Sequence, residues 1–422
     1  MATTYLSKTF SGAGTSNKIG TFSCWFKRSK LGAEQVLFSA NHTDGTASRS
    51  FIRIESDDTI GARTHPTAME MYTTQKFRDT SAWYHLVIAI DTTQATASNR
   101  FKYYINGEQI TSFSTETYPA QNKTFGFGQN VVNNIGRDSH GSSNYFDGSM
   151  SHVHWIDGTQ YQASDFGETD STTGEWKINT SPSVTYGTNG FFILKDGNSV
   201  TDQSGNSNNL TVGGGTLTQT EDTPSNNFAT GNPIANGGGN LTFTNGNTTI
   251  YDTDSTWRSG FGGLAPSSGK YYFEVKHAGS SSNVWIGIMD SSQLDGTGAY
   301  KFMEKSRGYG YSAGGEKGNN NSTGAGWGAS YTQNDIIGVA MDLDNNKIYF
   351  SKNGTWQDSG DPTSGATGTG SMYDLASGYN YFPATSLYST TAGVSFNFGN
   401  GRFGTTAISS EGTNASGIGK FE

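Results

Sequence analysis

The 422-residue chain has one cysteine, few charges and no long apolar run. A single thiol cannot build a disulfide framework, and Cys24, in the alternating run "TFSCWF", reads as a small buried hydrophobe. Charged residues make up 15% of the chain, against a common ~25%. The formal net charge is −9, and no Lys/Arg cluster is longer than "KRSK" at 27–30. A phosphate-backbone binder needs a basic face, so nucleic acid is not an expected partner. Nothing approaches the run of about eighteen apolar residues that a spanning helix needs, so membrane insertion is not expected either. The opening "MATTYLSKTF" lacks a basic stretch followed by an apolar one. That predicts synthesis in a reducing cytoplasm without a secretory signal.

What is abundant is glycine, at 57 positions, and aromatic residues, at 13%. Apolar residues recur at every second position in short runs broken by Gly, Asn, Asp and Ser, with no helical periodicity. The pattern predicts an all-β chain. In the first half "TFSCWFKRS", "SFIRIES", "WYHLVIAID", "FKYYING", "EQITSF", "TFGFG" and "GSMSHVHWID" read as strands. In the second, "NLTFTN", "GKYYFEVKHA", "NVWIGIMD", "GYGYSA", "DIIGVAMDLD", "KIYFSKNG", "YFPATSLY" and "GVSFNFG" do so.

One device appears twice. "WYHLVIAID…FKYYING" and "DIIGVAMDLDNNKIYFSKNG" are each a long strand, a turn, an aromatic strand and Asn-Gly, the pair best suited to a type I′ turn. Leu86, Ile88 and Ile90, and again Ile337, Val339, Met341 and Leu343, should each line one core-facing side. Two antiparallel β-sandwiches are therefore expected. The spans are 1–165, a loop-rich connector with one or two short strands at 166–238, a second sandwich at 239–404, and a tail at 405–422. Pro224, Pro233 and "NGGG" mark the boundary near 236–239.

The stretches "GKYYFEVKH", "VWIGIMD", "GYGYSAGGEKGNNN", "GWGASYTQNDIIGVAMDLDNNKIYFSKNGTW" and "YFPATSLYSTTAGVSFNFG" resemble a SPRY domain over roughly 239–400. "TFSCWFKRS", "WYHLVIAIDTT", "YYINGEQI", "IGRD" and "FDGSMSHVHWIDGTQY" resemble a laminin-G-type, concanavalin A-like jelly roll. The pairing of the two through the connector resembles virion and tail-fibre-like proteins of tailed phages, marine ones especially.

The concanavalin-like fold also hosts glucanases, so carboxylates matter. Glu55 and Asp57 in "ESDDTI" come nearest to alternating acids, but Thr59 and Ile60 stand where a third would fall. Asp342 and Asp344 lead into a turn that favours Asp in any case. His152 and His154, at i and i+2, could chelate a metal, though no third ligand is near in sequence. A packed or surface pair is the blander alternative, and His85 reads as a satisfied strand histidine. The laminin-G resemblance implies a rim Ca²⁺ site with Asp91 and Asp138 as candidates, against a turn role for both. No cofactor is otherwise expected. Neutral loops with aromatics suit sugar rings, and the SPRY resemblance implies binding by loops at one end of the sandwich. By position Tyr300, Phe302, Trp327, Tyr331 and Trp356 are the candidates, with core packing as the alternative for each.

The resulting expectation is a non-enzymatic phage virion protein: a fibre, appendage or capsid-decorating subunit, made in the host cytoplasm. It would act by multivalent contact with other virion proteins, with copies of itself and with host surface glycans. The alternatives are a glucanase-like hydrolase and a soluble SPRY adaptor binding a short peptide. The tail, with Phe421 as its apolar anchor, is expected to gain little on its own domain and to pack in an oligomeric or particle interface.

Overall fold

The structure, a computed structural model, describes residues 3–42, 48–195, 200–235, 239–294, 300–324, 326–413 and 417–422. Among them every regular element is a strand or a short 3₁₀ turn, and every named strand pair is antiparallel. The chain is all-β, as its period-2 patterning requires. By internal contacts it forms two units, residues 1–219 with 223–225, and residues 220–222 with 226–422.

The first unit is a sandwich of an eight-stranded and a six-stranded sheet. Strand Ile19–Arg28 lies centrally in the six-stranded sheet between Gly148–Asp157 and Tyr84–Asp91, which in turn pairs with Phe101–Ile105. Phe22, Cys24, Phe26, Leu86, Ile88 and Ile90 alternate into one core with Phe38, Ile52, Ile54 and Trp155. Cys24 is fully buried there, and that burial pushes its thiol pKa up. In the second unit Lys270–His277, Ile336–Asp342, Lys347–Lys352 and Gly393–Asn397 form one sheet. Val284–Asp290, Gly308–Ser312 and Tyr381–Leu387 form the other. Ile337, Val339, Met341 and Leu343 line the core between them. Both Asn-Gly pairs sit at positive φ, with Asn106 at 46° and Gly107 at 87°, and Asn353 at 47° and Gly354 at 77°. Two successive positive φ values are what a type I′ turn demands.

Three expectations change. "TFGFG" forms no strand: Phe125 and Phe127 are core residues, while a Cβ on Gly126 would sit 1.8 Å from the Asn41 carbonyl oxygen. Strand Gln35–Asn41 was not legible as alternation because it is buried on both faces. The connector is not a connector. Phe191–Ile193 extends the six-stranded sheet and Thr211–Val212 the eight-stranded one, so residues up to 219 complete the first unit. Residues 226–235 belong to the second unit, where Gly231 bridges Gly262. The contact boundary therefore falls near 220–226; of the expected boundary near 236–239, residues 236–238 lie outside the described residues.

The segment around 161–186 lies across the outer face of the six-stranded sheet, where Tyr161, Phe166, Trp176, Val184 and Tyr186 meet Val87, Ala89, Tyr104 and Ile156. Asp157, at the end of its strand, ties in the chain on either side: its backbone N–H donates to the Tyr186 carbonyl at 2.9 Å. Its buried carboxylate accepts backbone N–H bonds from Thr15 at 2.6 Å, Ser16 at 3.0 Å and Asn189 at 2.9 Å.

The tail also differs from expectation. Phe421 is buried, with its ring 5.1 Å from that of Tyr272, and Gly412–Thr413 pairs with Lys420–Phe421. The tail docks on its own unit because its backbone finds fixed partners there, which an estimate from its apolar content alone misses.

Candidate functional site

The most ligand-like surface lies in the second unit, where three strands of its six-stranded sheet end together. Val284–Asp290 finishes there, while Gly308–Ser312 and Tyr381–Leu387 begin. The Tyr309 ring lies tilted against those of Tyr373 and Tyr381, with centroids 5.5 and 6.0 Å away. Ala376 fixes the pair, donating its N–H to the Tyr309 hydroxyl at 3.2 Å and accepting from the Tyr381 hydroxyl at 2.8 Å. Above this floor Tyr373 is half-buried and Tyr379 is 37% exposed. The Arg307 guanidinium lies 4.1 Å from the Tyr379 ring and the Lys317 ammonium 5.3 Å from the Tyr373 ring.

Asp290 positions the arginine. Its buried carboxylate accepts from Arg307 Nε at 2.6 Å, Ser292 Oγ at 2.6 Å and Ser292 N at 3.1 Å. Burial acts to raise the carboxyl pKa, but these bonds outweigh it and the group is held below its ordinary value. The rim thus offers aromatic faces beside two cations, one of them held fixed. Such a surface can stack on a sugar ring or an apolar side chain while donating hydrogen bonds.

The five aromatic candidates read from sequence are not this rim. Phe302 and Tyr300 are buried in a second apolar layer with Phe261, Trp285 and Met303. Tyr331 is a core residue whose hydroxyl donates to the carbonyls of Tyr311 at 3.0 Å and Val284 at 3.2 Å. These three are corrected from contact to core. Loop position suggested exposure, but the segment after Asp290 folds back and makes its own packed layer. Trp327 is half-buried against Tyr311 at 5.4 Å and Phe350 at 6.2 Å. Trp356 is half-buried 6.3 Å from Tyr272. The rim tyrosines were missed because Tyr309 and Tyr381 open strands and read as pattern. Only the clustering of Tyr373 and Tyr379 before Tyr381 hinted at them.

In the first unit the metal candidates have other work. A bulge falls between Ser151 and His154, and His152 sits at φ 46°, so the two rings do not follow simple alternation. His152 Nδ1 is 2.7 Å from Ser151 Oγ, while His154 Nδ1 is 2.9 Å from the Tyr186 hydroxyl and its ring stacks 4.0 Å from Phe192. Asp91 accepts from Thr93 N, Thr93 Oγ1 and Gln94 Nε2 at 3.0, 2.6 and 2.6 Å, and Asp138 pairs with Arg49 at 3.0 Å. Among the described residues no three His, Cys, Asp or Glu side chains are placed to hold a metal ion.

His85 lies between Trp25 and Trp176, with ring centroids at 4.8 and 5.9 Å. Trp176 Nε1, which can only donate, bonds His85 Nδ1 at 3.0 Å. The remaining ring nitrogen therefore carries the proton and donates to Ser23 Oγ at 2.9 Å. This polarity is the reverse of a Ser–His nucleophile pair, in which the histidine accepts the serine proton.

Glu55 bonds Arg53 Nε at 2.7 Å and Asp57 caps Thr59 through its N at 3.2 Å and Oγ1 at 2.7 Å. Arg53 also meets Glu34 at 2.8 Å and lies 4.8 Å from the Phe51 ring. With Arg63, Glu70 and Tyr72 these residues tile the face of the eight-stranded sheet that points away from the core, a second polar and aromatic surface.

Two family models match this architecture. Residues 3–164 match the Laminin_G_3 family model, described as the concanavalin A-like lectin/glucanases superfamily. Residues 270–401 match the SPRY domain model. The chain thus carries one domain of each kind. No curated protein matches it. Among solved structures, the SPRY domain of human HERC1 is 17% identical over 37% of this chain and 91% of its own, with a TM-score of 0.31. A human SPRY domain is 17% identical over 37% and 94%, at 0.28. The native heptameric SAP-like pentraxin from Limulus polyphemus is 14% identical over 38% and 71%, at 0.29.

Proposed function

We propose that this chain is a non-enzymatic binding protein whose SPRY unit engages its ligand at a rim of Tyr373, Tyr379, Arg307 and Lys317 above the buried Tyr309–Tyr381 floor. The observation that carries the reading is the pairing of the exposed Tyr379 ring with Arg307 and of the half-buried Tyr373 ring with Lys317 at one end of the sandwich. The two domain matches support binding as the general role. The finer reading is a virion fibre, appendage or capsid-decorating subunit that meets host surface glycans in many copies. It rests on the resemblance of the whole domain arrangement to tailed-phage proteins. Multivalent display would let weak sites act strongly.

Two measurements test this. A glycan array probed with multimerised chain should give binding that falls at least tenfold in Y379A, with the melting temperature held. Binding of short peptides in place of glycans would favour the adaptor reading, and release of sugars from polysaccharides the hydrolase reading. Absence of the chain from a mass-spectrometric inventory of purified particles would sink the virion assignment.

A further inference from the structure

The outer face of the eight-stranded sheet in the SPRY unit carries a built peptide groove, and the chain's own segment Gly417–Glu422 fills it. Glu274 and Asn397 are neighbours in register across Lys270–His277 and Gly393–Asn397, and both are 0% exposed. Glu274 accepts the Glu422 backbone N–H on both carboxylate oxygens, at 3.0 and 3.1 Å. Asn397 Nδ2 donates to Glu274 Oε2 and to the Lys420 carbonyl, each at 2.9 Å. The Lys420 N–H donates to the Gly399 carbonyl at 3.0 Å. Phe421 meets the Tyr272 ring edge-on at 5.1 Å, and Trp356 flanks Tyr272 at 6.3 Å. The Lys420 ammonium lies 3.0 Å from Glu221 and 3.3 Å from Glu411, and Ser409 Oγ bonds Glu422 Oε1 at 2.8 Å.

The groove therefore reads backbone groups on a short segment through the side chains of Glu274 and Asn397 and takes one aromatic side chain. Nothing in the contacts at Glu274, Asn397, Gly399 and Tyr272 requires the segment to come from the same copy. The tether that delivers it is held by backbone and polar contacts: Thr406–Ala407 pairs with Arg402–Phe403, and Gly412–Thr413 pairs with Lys420–Phe421. Among the described residues no buried apolar side chain lies between Phe403 and Phe421, and 405–407 and 409–412 are exposed.

We infer that this groove is a site for an extended Lys-Phe-Glu peptide and that a second copy of the chain can supply it, so that copies exchange residues 417–422. Such exchange is an inexpensive route to oligomers because it reuses contacts already made within one copy. The inference is independent of the tyrosine rim and does not fall if glycan binding fails.

Two experiments bear on it. A fluorescent Gly-Ile-Gly-Lys-Phe-Glu peptide should bind saturably to the chain lacking 405–422. Replacing its Phe by Ala, or making Asn397→Ala in the protein, should weaken binding at least tenfold. Absence of saturable binding to a truncated chain that still melts cooperatively overturns the proposal. Where truncation prevents folding, two full-length variants decide. Asn397→Ala keeps the segment and loses the groove, and Phe421→Ala keeps the groove and loses the anchor, so their equimolar mixture should show dimers by light scattering while each alone stays monomeric. A mixture that remains monomeric overturns the exchange.

Discussion

Both units cover the outer face of one sheet with chain from outside the sandwich proper, yet they do so with opposite chemistry. In the concanavalin A-like unit the cover is the 161–186 segment, and the groups beneath it are histidines held neutral. In the SPRY unit the cover is 417–422, and the group beneath it is the Glu274 carboxyl. Burial lowers the pKa of His85 to about 3 and that of His154 well below its ordinary value. Burial raises that of Glu274 to about 7, against the lowering effect of the Glu422, Asn397 and Tyr272 hydrogen bonds. The same event, removal of water from a titratable group, pushes acids up and bases down. The lesson is that two related sandwiches in one chain can respond to acid with opposite sign.

The largest effect should come from the buried carboxylate that ties 15–16 and 189 together in the first unit. Asp157→Ala orphans three backbone donors at once, each bonded to a charged acceptor. It should cost roughly 3–5 kcal/mol, read as a fall in the first unit's calorimetric transition while the second stays put. Equal loss in both transitions would break the comparison.

Acidification should come next. A depressed histidine contributes stability that is present above its unfolded pKa near 6.5 and is lost as pH falls toward the folded value. Between about pH 6 and 4 the first unit should therefore weaken by ~1.4 kcal/mol per pH unit for each of His85 and His154. Glu274 has the reverse sign, its contribution being present below pH ~4.5 and lost as pH rises toward 7. Differential scanning calorimetry of Glu274→Gln against the parent chain isolates that term. The difference between them should be pH-dependent over that window and flat outside it.

Phe421→Ala should cost about 2–3 kcal/mol in the second unit, the low end for a buried phenylalanine. An unchanged second transition would mean that the segment contributes no stability in its own copy. Smallest is the rim. Tyr379→Ala removes an exposed ring, so its stability effect should stay within ~0.5 kcal/mol, and only ligand binding should report it.

The repeated meander was readable from its residues. "FKYYING" and "KIYFSKNG" announce a strand and a turn, and Asn106–Gly107 and Asn353–Gly354 adopt the positive φ that those letters favour. Strand signals failed where a segment is buried on both sides, as at Gln35–Asn41, because alternation vanishes when neither face meets water. Site signals failed for the same kind of reason. Phe302 and Tyr331 look like loop aromatics until a second apolar layer is seen to enclose the first and the main core the other.

The sequence by itself determined the β class, the existence of two sandwiches and the position of their hairpins, because period-2 patterning and Asn-Gly act over a few residues. The tertiary structure alone decided which segments cover which sheet. It gave 161–186 to the first unit's outer face and folded 417–422 onto Glu274. Those outcomes depend on partners 60 to 150 residues away, as with His85 and Trp176 or Glu274 and Glu422, whose separations are 91 and 148 residues. A hydrogen bond or a ring contact at that range leaves no periodic trace in the chain, since only the folded backbone brings the two ends within reach.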